Sequence, residues 1–549
     1  MNEKKILIKN GLVYDGTGSE GFNADILIDG DELKKIDKNI EVDSVKVIDA
    51  TDKIVCPGFI DIHNHADLTL LDLPEIKAYV AQGCTTTTGG HCGFGICPAN
   101  ERVKKYYYNI ASRLLSVKPS LCDDFQAFSR KLEEQGTSIN MAYLIPQGNV
   151  RALKFGADEE PADEEEIKFM KEVIRESMEN GAFGLTTGLV YPPGSVTETE
   201  EIIELAKVVG EYNGVYMSHM RNEGAHVLDE GMAELFRIAR EGNCRGHISH
   251  WSVISSSVEE MTPKLIEAME KVHDKGLDVS ADVTVYEDAV TPIAFIMFNT
   301  WVFNDFEKNL TDPDTRKRIL DEMFQKLDDM FLSDAPWYIR LIPKFILKKI
   351  IFPILGKEVT ILSCPNNTEI QGKTLYEAIK SLYPDKNIKE GLLDLLRDEE
   401  GGIIITLKTK NEEKGIIPLF KQPYVCASSD GILIVNPEQN EHPRNYGTFP
   451  RVIQRWVREK NYISLKEGIR KITSLPAKIL GIKDRGTLKE GNKADIVVFD
   501  FAKIKEKGTL ANGRQFPEGI NYVFVNGALT VKNGEHTGEL NGKVLKHQK

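Results

Sequence analysis

Ile54-Val55-Cys56-Pro57-Gly58-Phe59-Ile60-Asp61-Ile62-His63-Asn64-His65 reads as a short buried strand, Phe59 to Ile62, that runs out into two histidines one residue apart. In an extended chain, residues i and i+2 project to the same side, so His63 and His65 aim at one point. Two neutral imidazoles converging at a strand end suit a divalent metal such as zinc. An isolated His-x-His also occurs as a pair of surface or capping histidines, so the choice passes to the rest of the chain.

Downstream, short β-like runs alternate with helical periods. Seven further runs follow the first: Thr85–Thr88, Met141–Ile145, Ala182–Thr186, Val215–Ser218, Arg245–Ser249, Asp278–Val283 and Tyr424–Ala427. Between them, segments such as Glu164–Glu179 and Glu198–Glu211 place apolar residues at three- and four-residue spacing, which is helical. Eight strands alternating with helices predict an α/β protein built on a closed (β/α)8, TIM-like barrel, with chemistry at the C-terminal ends of the strands. About 140 residues separate the last two strands, far more than one helix needs. This insertion, about residues 290–420, is read as a lid over the barrel mouth, with a surface decoration as the alternative. Both ends of the chain carry alternating runs and turn residues, which suggests one small β-sandwich domain made from both termini. The expected boundaries are 1–56 and 481–549 for that domain and 57–480 for the barrel.

A net charge of -14 argues against nucleic acid or an anionic membrane as a general partner. Met1 to Asn10 contains no apolar core of signal-peptide length. The greasiest region, Trp337–Leu355, is broken by Arg340, Pro343, Lys344, Lys348 and Lys349 and cannot span a bilayer. Eight cysteines in 549 residues do not make a disulfide framework, so a reduced, cytoplasmic setting is expected.

The strand ends carry the chemistry. After the second run, Gly89-Gly90-His91-Cys92-Gly93-Phe94-Gly95 can present Cys92 at the barrel mouth; the fifth ends in His219, the sixth in His250, and the eighth leads to Asp430. One such residue is weak evidence, but agreement at five strand ends is hard to obtain by chance. A thiolate with two imidazoles, Cys92, His219 and His250, makes a three-ligand zinc site with a place left for water. His63 and His65 either complete a second, adjacent position or tune the first. Asp430, left free of tight ligation, can take a proton from the attacking water and deliver it to a leaving group. His91 and His247 are candidates for supporting roles, and His226, His273, His536 and His547 for the surface.

With these residues placed, the sequence resembles the metal-dependent amidohydrolase superfamily and, within it, the N-acyl-D-amino-acid deacylase (D-aminoacylase) family. The resemblance runs from about residue 5 to residue 545, and its most specific pieces are Pro57–Asp67, Gly83–Pro98, Gly181–Pro193, Ser218–Glu223, Ser428–Gly431, His442–Phe449 and Lys489–Asp500. Cys92 stands where this branch has a cysteine in place of the modified lysine that bridges two metals in many relatives. The resemblance implies one tight zinc on Cys92, His219 and His250, a weaker site near His63 and His65, and Asp430 as acid/base. It also implies that Tyr286 helps to polarise the substrate carbonyl; by its residues alone, Tyr286 reads as packing. Three departures stand out. Ser252 replaces a family lysine that helps to hold the substrate carboxylate, Thr284-Val285 replaces a tyrosine-proline pair, and Gln147 replaces a histidine. With that lysine gone, Arg444 or Arg221 becomes the candidate to grip a carboxylate. The expected reaction is zinc-dependent hydrolysis of the amide of N-acyl-D-amino acids or related N-acyl amines, with a small-molecule N-acyl substrate as partner. The alternatives are hydrolysis of a cyclic amide or dipeptide at the same site, or a binding barrel without turnover.

Overall fold

The computed structural model describes residues 5–43, 45–108, 118–156, 160–224, 226–253, 258–328, 342–409 and 411–548. All eight β-like runs of the middle region form strands, within one or two residues of the expected bounds. Phe59–Asp61, Cys84–Gly89 and Asn140–Tyr143 pair in parallel. Ile145–Pro146, Gly184–Gly188, Val215–His219, Arg245–Ile248, Val279–Thr284 and Val425–Ser428 do the same in chain order. Leu144 alone separates the two sheets along the chain. At the other edge they meet through the Asn64–Gly431 bridge, where His65 N–H donates to the Gly431 carbonyl at 2.7 Å and Asp430 N–H to the His63 carbonyl at 2.8 Å. The parallel pairing thus passes from the first strand to the eighth and back to the first.

The ring is filled. Ile60, Ile62, Ala142, Leu144, Phe183, Val215, Met217 and Cys426 pack together, with Leu475, Ala477 and Leu480 of the helix Ser474–Leu480 in the same cluster. A packed interior leaves the strand ends as the place for a site.

A second sheet joins the two termini. It has nine strands, with Ile54–Pro57 at its middle, antiparallel to Ile496–Phe499 on one side and parallel to Lys5–Val13 on the other. Ile54–Pro57 passes through Gly58 directly into the first strand of the ring, and a Cβ at Gly58 would lie 2.0 Å from Thr85 Oγ1, so only glycine fits there. A buried polar joint ties this sheet to the ring. The Arg485 guanidinium pairs with Asp495 and donates to Asn526 at 2.7 Å, and Asn140 Nδ2, from the third ring strand, donates to Asp495 at 3.0 Å.

The segment between the last two ring strands has a sheet of its own, which the sequence reading missed. Asp288–Pro292 and Thr360–Ser363 both run antiparallel to Ile404–Lys408. Helices Pro313–Leu327, Leu375–Leu382 and Ile388–Asp398 start on Asp312, Thr374 and Asn387, whose side chains accept from the first-turn backbone N–H groups. They enclose a core that includes Phe303, Phe324, Ile361, Ile379 and Leu396 and continues into Leu68, Phe94 and Val103 of the ring loops. Of the run Trp337–Leu355, residues 337–341 lie outside the described residues, and Lys344–Glu358 is helical. Among the described residues no helix is long and apolar enough to cross a membrane.

The polar joint yields a stability prediction. Asp495→Ala leaves the buried Arg485 charge without its carboxylate and should destabilise the protein by about 3–5 kcal/mol in denaturant unfolding. A loss below about 1 kcal/mol, the range of exposed pairs, would show that the joint is dispensable.

Candidate active site and metal centre

Six side chains from five segments meet at one end of the ring. Cys92 Sγ lies 3.3 Å from His63 Nε2, 3.9 Å from His219 Nδ1 and 3.9 Å from His250 Nε2. Asp430 Oδ1 lies 3.6 Å from His63 Nε2 and 3.7 Å from His65 Nε2. The ligand-capable atoms fall into three overlapping groups: His63 with Cys92 and His250, His63 with His65 and Asp430, and His219 with Glu223 and His250. His63 is therefore shared between two groups, a closer association with Cys92 than the His63–His65 pairing suggests.

The backbone is bent to deliver these groups. Cys92, His250 and Asp430 all sit at positive φ (53°, 37° and 48°), where non-glycine residues are uncommon. Outliers of this kind persist where the surroundings over-determine them, and they gather at functional sites. At Cys92 the surroundings are visible: Gly90 and Gly93 also have positive φ, and a Cβ on Gly90 would lie 2.0 Å from the Leu144 carbonyl oxygen.

The electrostatics favour a cation. Burial opposes the Cys92 thiolate, but His63 and hydrogen bonding from His219 and His250 hold its pKa well below the ordinary thiol range. Burial likewise opposes the imidazolium of His63, yet Cys92 and Asp282 raise its pKa to about 10. Against the same penalty, Asp430 and Cys92 raise His65 to about 9. Burial disfavours the Asp430 carboxylate, and Arg444 with the histidines overrides it and keeps the carboxylate ionised. A divalent ion satisfies the same field. Two tetrahedral ligands of zinc, one sulfur and one nitrogen, stand about 3.6 Å apart, and the three Cys92–histidine distances bracket that value. The donor types fit zinc; around Cys92 the atoms already within one ion's reach are those of His63 and His250, while His219 groups with His250 and Glu223.

Two carboxylates absent from the sequence reading orient the imidazoles. Glu223 Oε1 is 3.0 Å from His250 Nδ1, and its Oε2 is 3.9 Å from His219 Nε2. Asp282, fully buried, lies 2.9 Å from His247 Nε2 and 3.4 Å from His63 Nδ1, and accepts from the His250 backbone N–H at 3.0 Å. A carboxylate on the far nitrogen of a ligating histidine fixes the ring and its tautomer. Asp282 had a signal: Ser280, Asp282 and Thr284 alternate as polar residues on one face of the seventh strand.

Above the cluster opens a cavity of about 1010 Å³, lined by His65, Cys92, His219, His250, Asp430, Ser252 and Arg444 together with apolar side chains from the ring loops and the inserted segment. Tyr286 does not join it. Its hydroxyl donates to Glu506 at 2.5 Å and Arg451 covers its ring at 4.6 Å, so the expected role at the carbonyl is not met in this arrangement. Tyr191, from the loop after the fourth strand, lines the cavity instead, its ring 5.2 Å from that of His219 and its hydroxyl toward Cys92. Arg221 lines the cavity but is spent: it bonds Glu234 through two nitrogens at 2.9 Å each and the carbonyls of Ser195 and Thr197. Of the two candidate clamps only Arg444 faces the cluster, with Nη1 at 2.8 Å from Asp430 Oδ2 and its buried Nε without a hydrogen-bond acceptor.

Comparisons with known proteins converge on this architecture. A family model described as "Amidohydrolase family" matches residues 46–292 and 424–534, leaving out the inserted segment. A D-aminoacylase of Alcaligenes xylosoxydans xylosoxydans is 27% identical over 547 residues, covering 98% of this chain and 97% of the relative. A D-aminoacylase structure, described for the functional role of its binuclear metal center, superposes with a TM-score of 0.77 at 25% identity, covering 98% of this chain and 99% of the other. An N-acyl-D-glutamate deacylase from Bordetella bronchiseptica, complexed with zinc and a phosphonate inhibitor, shares the fold with a TM-score of 0.78 at 24% identity, covering 99% and 100%.

The carboxylate behind His250 yields a binding prediction. Glu223→Gln should weaken zinc binding by about ten- to a hundredfold in competition with a chromogenic chelator. Unchanged affinity would remove Glu223 from the support of the site.

Proposed function

The chain belongs to the amidohydrolase family, and from that premise we propose that it hydrolyses the amide bond of N-acyl-D-amino acids or related N-acyl amines, releasing a carboxylate and a free amine. The observation that carries this reading is Asp430, ionised and 3.6–3.7 Å from two imidazoles, on the rim of a cysteine–histidine cluster at the floor of a deep cavity. The names of the relatives over nearly the whole chain support the substrate class.

Cys92, His219 and His250 would hold a tight zinc, and His63 and His65 would serve a weaker second position. Zinc bound there supplies a Lewis acid that activates water at neutral pH and polarises a carbonyl. The chain's own groups do the rest. Asp430 accepts the proton of the attacking water and passes it to the amine nitrogen as the C–N bond breaks. Arg444, hydrogen-bonded to Asp430, keeps that carboxylate ionised and lines the cavity as the cation for a substrate carboxylate. Tyr191, not Tyr286, offers the hydroxyl that meets the developing oxyanion. Ser252, buried on the cavity wall, adds no charge.

On the same reading, residues 1–56 and 481–549 form one small β-sandwich domain beside a barrel of residues 57–480, and residues 290–420 act as a lid. The sheet shared by both termini, and the insertion's own sheet and cavity-lining position, support this division. Eight cysteines, all buried and unpaired, support a reduced cytoplasmic setting.

Two substitutions test the assignments. Asp430→Asn should abolish amine release while zinc content is unchanged; retained turnover would refute the acid/base role. Tyr191→Phe should lower kcat about 10²-fold, as loss of one oxyanion donor does, with little change in KM. An unchanged kcat would return the role to another donor.

A further inference from the structure

The inserted segment and two ring loops together give the cavity an apolar wall. Phe94, Tyr191 and Phe295 form an aromatic trio, with ring centroids 5.2 Å apart for Phe94–Tyr191, 4.7 Å for Tyr191–Phe295 and 5.6 Å for Phe94–Phe295. Val290, Ile405 and Leu407, from the edge and central strands of the inserted sheet, continue this surface along the cavity. The cations near it already have acceptors. Arg318 bonds Glu322 at 2.8 Å and lies 4.0 Å over the Trp301 ring, and Lys326 donates to the Phe298 carbonyl at 2.8 Å. At about 1010 Å³, the cavity stands at the upper end of small-molecule sites and far exceeds an acetyl group.

The two arms of a substrate can be told apart by the chemistry. The amine leaves on the side of Asp430, which joins the cluster through His63 and His65 and carries Arg444. The aromatic trio joins the cluster through His219, beside Tyr191. We propose that this wall is an acyl subsite, and that the preferred substrates are amides whose acyl arm is a medium- or long-chain alkyl or an aryl-alkyl group rather than acetyl. Each buried methylene removes apolar surface from water, so affinity for the transition state rises with chain length until the wall is filled. The inference rests on the deacylase reading and specifies which arm the apolar chamber receives.

The test compares release of D-leucine by the zinc-loaded full chain from its N-acetyl, N-octanoyl and N-(4-phenylbutanoyl) derivatives. A parallel series of N-acetyl-D-alanine and N-acetyl-D-phenylalanine varies the amine arm. The expected result is a kcat/KM at least about tenfold higher for the two longer acyl groups than for acetyl, and a smaller change along the amine series. Phe295→Ala should lower the ratio of N-octanoyl to N-acetyl kcat/KM; Val290→Asn, on a half-buried strand, serves if the first variant does not fold. Equal or better use of acetyl would overturn the inference and leave the deacylase reading intact, as would a gain confined to the amine series. A long-acyl preference that survives in a folded variant at this wall would also overturn it. Absence of amine release from every compound would overturn both readings.

Discussion

A single buried carboxylate, Asp282, holds the site together. Its oxygens accept from the Ser428 hydroxyl and the His250 backbone N–H, meet His247 at 2.9 Å and face His63 at 3.4 Å. These partners come from the first, sixth and eighth ring strands or the turns that follow them, so one charge on the seventh strand fixes the spacing of three other elements. Asp61 works beside it: the backbone N–H and hydroxyl of Ser429 both donate to its carboxylate and clasp the first strand to the eighth. A buried charge with all its partners made is stiff, because any movement strands an unsatisfied group in a low dielectric. His250 and Asp430, whose backbone N–H groups donate to Asp282 and to the His63 carbonyl, are held at strained φ values within this frame.

The ring was legible because its strands obey rules that need no partner. Short β-branched runs spaced by helical periods mark parallel strands, and the C-terminal ends of such strands are where a barrel carries its chemistry. Other roles depended on residues far away in sequence. Tyr286 is drawn off by Glu506, 220 positions downstream, and Arg221 by Glu234 and two loop carbonyls. A side chain's destination is decided by such partners, and spacing carries no trace of them. Tyr191 escaped notice for a related reason: the fourth strand ends in Thr187-Gly188, without a metal-capable residue to draw attention to its loop. In the insertion, Thr360–Ser363 and Ile404–Lys408 are short apolar runs that pattern cannot distinguish from helix, and only the pairing of Ile404–Lys408 with Thr360–Ser363 on one side and Asp288–Pro292 on the other makes them a sheet.

Chemistry and selectivity occupy different parts of the chain. The cysteine–histidine cluster and Asp430 are carried by the ring, whose interior packing and carboxylate clasps set their geometry. The chamber above them is walled by ring loops and the insertion together, and the insertion has its own sheet and a core that it shares with those loops. Ser252 carries no charge and Arg221 is paired with Glu234, so Arg444 is the cation beside Asp430, while the aromatic trio stands beside His219.

The central claim is that this cluster hydrolyses an N-acyl-D-amino acid by metal-assisted attack of water. The most direct measurement is amine release from N-acyl-D-leucine and its L enantiomer by the protein as loaded with zinc, after chelation, and after zinc is restored. The account predicts release from the D compound alone, lost on chelation and recovered with zinc. Release that survives complete removal of the metal, or that is as fast from the L compound, would contradict it.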